Sequence, residues 1–152
     1  MNIKIISDST CDLSKDLLEK NDITIVPLTV IKDDEAFIDS ITITTDDIFA
    51  HVAAGGNLCT TTAVSVGEYQ DWFAKYADTY DAVVHINISS EFSSCYQNAC
   101  IAAEEVGGVY VMDSRNLSTG IGLQVLRACE LADKGMAAEV IVSYLREMAG
   151  RV

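Results

Sequence analysis

Basic residues are scarce in this sequence: ten Lys and Arg stand against 23 Asp and Glu, for a formal net charge of −13. Nucleic-acid backbones and anionic lipid surfaces are recognised by clustered Lys and Arg. No such cluster occurs, so the expected partners include no nucleic acid. Proline occurs once, histidine twice, and no stretch is of low complexity. The five cysteines form no CxxC pair and leave one odd, which argues against both a secreted disulfide framework and a zinc site. Reduced, partly buried thiols are expected at Cys11, Cys59, Cys95, Cys100 and Cys129. No run approaches the roughly 20 apolar residues of a membrane-spanning helix, and "MNIKIISDST" reaches charge too early for a signal peptide. The expectation is a cytoplasmic protein with no stable membrane insertion. GxGxxG, GxxxxGK[ST] and GxSxG are all absent, so no dinucleotide site, P-loop or nucleophile elbow is expected, and no cofactor.

What remains is a chain of 152 residues, half of them hydrophobic. A domain of this length buries roughly 70% of the surface its unfolded chain exposes, enough for a full core without staples. Apolar runs read as strands at "IKIIS", "ITIVPLTVI", "DAVVHINI" and "GGVYVMDS". Pro27 has no N–H to donate, so it belongs at a strand end or edge. "KDDEAFID" reads as a turn into a small hairpin. Helical patterns lie between the strands. They cover "DLSKDLLEKN" with Leu13, Leu17 and Leu18 on one face, a helix beginning near Thr44, another after Ser65, one from about Ser94 to Val106, and two joined at Gly135. Continuous rather than alternating apolar strands indicate an α/β fold, a mostly parallel sheet with helices on both faces plus the hairpin.

In such sheets ligands bind beyond the carboxyl ends of the strands, and hydroxyls gather there. Ser7-Asp8-Ser9-Thr10, Ser89-Ser90 with Ser93-Ser94, and Asp113-Ser114 each follow a strand, while the Thr60-Thr61-Thr62 loop precedes a helix. Some of this is capping: Ser65 with Glu68, and Ser94 with Gln97, have capping-box spacing. The same helix N-terminus offers free N–H groups to a carboxylate or phosphate. Asp8 reads as a loop-capping carboxylate, with metal binding or orientation of hydroxyls as the alternatives. His51 and His85 read as satisfied structural histidines, and "STGIGL" as close helix packing.

These motifs are similar to those of the DegV family of bacterial fatty-acid-binding proteins. "IISDSTCDLSKDLLEKNDITIVPLTVI" resembles that family's opening "SDSTADL…ITVVPL", and "TTTAVSVGEY" resembles its "TTSQPSPGEF". "SSEFSSCYQNA" resembles "SSGLSGTYQSA", and "VYVMDSRNLSTGIGL" resembles "VIDSRSASMGLG". The resemblance implies a carrier rather than an enzyme. It would bind a long-chain fatty acid and present it to a fatty-acid kinase for phospholipid synthesis. It also implies a Rossmann-like α/β fold and head-group contacts at Thr61 or Thr62 and at Ser93; the polar loops at the strand ends add Ser94, Ser9 and Asp8 to the expected ligand-binding set. Glu91, Phe92, Ser94, Ala63 and Val64 depart from the family's pattern. Members are about twice as long, so residues 1–152 are expected to form the N-terminal α/β domain, without the second domain that closes over the ligand. The alternative from the residues alone is an enzyme of phosphoryl or phosphosugar chemistry using Asp8 and a helix N-terminus.

Overall fold

The computed structural model describes residues 1–152. Four strands, β1 (Ile3–Asp8), β2 (Thr24–Val26), β6 (Ala82–Asn87) and β7 (Val109–Asp113), form an all-parallel sheet in the order β2-β1-β6-β7. Every residue of the central strand β6 is buried, as a parallel strand covered on both faces requires. Helices α3 (Val66–Ala77) and α4 (Cys95–Val106) pack together over the sheet, and α5 (Thr119–Asp133) pairs with α6 (Ala138–Ala149) against it. The doubly covered parallel sheet is the expected architecture.

The core is largely apolar, and His85 is among the polar side chains buried in it. Tyr69 and Phe73 of α3 are fully buried, and burial of such a side chain is worth about 1.5–3 kcal/mol. His85 of β6 packs edge-on against both rings, with centroids 5.2 and 5.3 Å away. Burial depresses its pKa to about 3, because a charged imidazole there would lose its hydration. The histidine is structural, as expected, but not satisfied: neither ring nitrogen completes a hydrogen bond.

Pro27 follows β2, and the chain then crosses into a second, antiparallel sheet of β3 (Thr29–Lys32), β4 (Glu35–Ile38) and β5 (Thr60–Thr62), ordered β4-β3-β5. The expected hairpin is β3 with β4, turning through Asp33 and Asp34 at φ 49° and 65°. The threonines expected in a loop instead form β5, paired with β3 through Val30 opposite Thr61. Three β-branched residues in a row fit an edge strand better than a turn.

Two helix starts differ from expectation. Helix α1 spans only Lys15–Lys20 with Ser14 as its N-cap, so Leu13 precedes it, and the residues just before form a 3₁₀ turn, Ser9–Cys11. Ser94 makes no capping bond, and the expected Ser94–Gln97 box is absent. An effective N-cap has extended backbone, but Ser94 has ψ 2°. Ser65, at ψ 162°, does form its box with Glu68. Thr44 forms another with Asp47 at the start of α2 (Thr45–Ala53).

Candidate functional site

The chain leaves β1 toward β2 on one side, whereas β6 adds on the other. The loops after β1 and β6 therefore diverge, and a crevice opens between them at the carboxyl edge, the usual ligand position in open α/β sheets. Asp8 and Ser9 stand at the end of β1, and Ser89 to Ser94 follow β6.

Asp8 is fully buried and acts as a clamp across this point. Its Oδ2 accepts the Ile88 backbone N–H at 2.5 Å, and its Oδ1 accepts the backbone N–H and the hydroxyl of Thr10. Burial raises its pKa despite these bonds, and nearby Asp39 adds to the rise. Both oxygens are thus committed, which matches the loop-capping reading. No three His, Cys, Asp or Glu side chains gather closely enough to hold a metal ion.

The neighbouring loops are tied to one another around this clamp. Ser9 Oγ accepts the Leu28 N–H at 3.1 Å, holding the turn after Pro27. Ser89 donates its N–H to the carbonyl of Asn116, and Ser90 donates both N–H and Oγ–H to Asp113. Ser118 Oγ donates to Asp12 at 2.6 Å. Asn98 Nδ2, one turn into α4, donates to the carbonyl of Val64 at 2.8 Å. That bond brings Val64, just after β5, alongside α4, and Thr61 and Thr62 of β5 are exposed.

The hydroxyl protons distinguish the serines. Ser7 donates to the Ile86 carbonyl and Ser114 to that of Asn116, so both are spent. Ser93 Oγ accepts the Cys95 N–H at 3.2 Å. A hydroxyl carries one donor and two acceptor sites, and the Ser93 proton has no acceptor within the chain. The same holds for Ser9. Ser93 is half-buried, whereas Glu91 is exposed to solvent.

Phe92 in the serine loop is 66% exposed, and Leu117, before α5, and Leu123, within it, are about half exposed. A cleft of about 490 Å³ beside Ser9 is lined by Cys11, Leu13, Leu18, Ile25 and Ser40. The tight turn above it depends on glycine: a Cβ at Gly122 would stand 2.8 Å from the Cys11 carbonyl oxygen. The "STGIGL" segment is close packing, as expected.

Sequence reasoning missed Asn116 and the pairing of Ser90 with Asp113 as the means of fixing the serine loop. The Asp-Ser pair after β7 was visible, but its partner 23 residues upstream was not, because only strand order makes them neighbours.

Comparison with known proteins agrees with this geometry. The DegV family model, described as an uncharacterised protein, matches residues 2–152. A DegV domain-containing protein of Clostridium perfringens is 34% identical over 99% of this chain and 54% of its own length. One from Clostridium acetobutylicum is 36% identical over 95% of this chain and 53% of its own. Among solved structures, a fatty-acid-binding DegV family protein from Thermus thermophilus superposes with a TM-score of 0.91 at 33% identity, covering 98% of this chain and 54% of that one. A stearic-acid-binding protein from Eubacterium ventriosum superposes at 0.86 with 32% identity, covering 95% and 52%. The chain spans about half the length of the relatives it matches.

Proposed function

The chain belongs to the DegV family, and we propose that the protein it represents binds a long-chain fatty acid, holding the carboxylate with the hydroxyls of Ser93 and of Thr61 or Thr62. The observation that carries this reading is Ser93 itself. It is half-buried at the switch point, it is fixed by the Cys95 N–H, and its hydroxyl proton is unspent. A hydrogen bond to a charged group is worth about 1.5–3 kcal/mol, so two or three hydroxyls can fix a carboxylate without Lys or Arg. Ser9 and Ser94 extend the hydroxyl rim, and Asp8 positions it by clamping β1 to the start of the serine loop. Exposed Phe92, Leu117 and Leu123 offer apolar surface to the acyl chain, whose burial is worth about 0.8 kcal/mol per CH₂. Solved relatives described as fatty-acid-binding support the ligand class.

In this reading the protein is a carrier. It presents the carboxylate at the open rim to a fatty-acid kinase, which transfers a phosphoryl group to it and so feeds phospholipid synthesis. The further half seen in relatives closes over the acyl chain. Phosphoryl chemistry by this chain itself finds no support in Asp8, whose two oxygens are buried and engaged.

Organic extraction of the gently purified whole protein, followed by mass spectrometry, tests the ligand. A stoichiometric long-chain fatty acid is expected. Its absence, with no binding of added fatty acid, would refute the proposal.

A further inference from the structure

Arg115 follows the end of β7 and Arg146 lies in the last turn of α6, yet both line one cleft of about 330 Å³ with Ser90, Tyr96 and Asp113. Neither guanidinium has a carboxylate partner. The chain's ion pairs engage Lys4, Lys15 and Arg127. Two arginines from separate elements instead leave their forks unused around the same opening.

The one acid in the cleft is occupied. Asp113 Oδ1 accepts the N–H groups of Ser90 and Arg115 at 3.1 and 3.0 Å, and its Oδ2 accepts Ser90 Oγ at 2.6 Å. These bonds hold Arg115 at φ 52°, a left-handed conformation uncommon for a residue with a side chain. Asp113 therefore serves to set the backbone at Arg115. The rest of the acidic surface is largely screened at physiological salt, where the Debye length is about 8 Å.

We infer that this cleft is an anion site for phosphate, free or as a small phosphomonoester. A guanidinium binds oxyanions through paired N–H donors in a fixed fork. The two forks outweigh the single Asp113 carboxylate of the lining, and the tetrahedral oxygens of a phosphate accept from two sides at once. A planar carboxylate offers only two oxygens in one plane. The site is distinct from the fatty-acid rim: none of its six lining residues, Ala149 included, belongs to the proposed head-group set, and it does not rest on that reading.

Isothermal titration of the whole protein with inorganic phosphate, in a phosphate-free buffer at physiological ionic strength, tests the assignment. Saturable binding at one site is expected. Loss of a charge-assisted contact should weaken it by roughly tenfold or more in Arg115→Gln and in Arg146→Gln, and leave it unchanged in Arg127→Gln. Both cleft arginines are exposed, and circular dichroism checks that each variant folds. Phenyl phosphate should compete with inorganic phosphate, and succinate should bind more weakly. No saturable binding, equal losses in all three variants, or succinate binding as tight as phosphate would each overturn the proposal.

Discussion

Asp8 Oδ2 accepts the backbone N–H of Ile88 at 2.5 Å, joining the ends of two neighbouring parallel strands where the sheet's loops diverge. Thr10 occupies the other oxygen through its N–H and hydroxyl. Asp8→Asn removes the cost of burying a charge, but it sets an NH₂ group against one of these donors and leaves that donor unpaired. The net effect should be a destabilisation of about 1–3 kcal/mol, read as a lower urea midpoint with an unchanged slope.

Two serines that look alike in sequence should respond differently to alanine. Ser65 caps α3 through Glu68, and Ser94 makes no capping bond. Ser65→Ala should cost about 1 kcal/mol, while Ser94→Ala should stay within about 0.5 kcal/mol of the parent. Parallel thermal melts of the two variants check the contrast.

Gly122 packs against backbone rather than a movable side chain. A Cβ there would lie 2.8 Å from the Cys11 carbonyl oxygen, so Gly122→Ala must displace the 3₁₀ turn beside Ser9. The expected cost is about 1–3 kcal/mol, against a gain of up to about 1 kcal/mol from helix propensity. Denaturant unfolding should show a net loss.

His85 links stability to pH. Its folded pKa of about 3 lies below its ordinary value of 6.5, so the unfolded chain takes up the proton first as pH falls. The stability that neutral His85 confers is present above about pH 6.5 and is lost progressively toward pH 3, by at most about 1.4 kcal/mol per pH unit. Urea unfolding at pH 7.5 and pH 5 should show a smaller difference for His85→Leu than for the parent. An identical difference would mean that the imidazole does not stay neutral.

The sheet and its helices were legible because buried parallel strands read as unbroken apolar runs, as "DAVVHINI" does. The hairpin was legible in its Asp-Asp turn, and the Ser65 cap in its spacing. Local spacing failed where backbone geometry decides. Ser94 has the letters of a cap but not its ψ angle, and Thr60–Thr62 is a strand only because β3 passes beside it. The hydroxyl rim was visible as composition after each strand. Which hydroxyls are spent was not visible, because the acceptors of Ser7 and Ser90 lie on other strands, 79 and 23 residues away. Arg115 and Arg146 are likewise neighbours only through the packing of α6 against β7.

The account stands most directly on the hydroxyl of Ser93. Isothermal titration of the delipidated whole protein with oleate, parent against Ser93→Ala, isolates that one donor, with Ser143→Ala on the exposed surface of α6 as the control. A carboxylate held by Ser93 predicts roughly tenfold or greater weakening in Ser93→Ala alone. Equal affinity in all three proteins would contradict it.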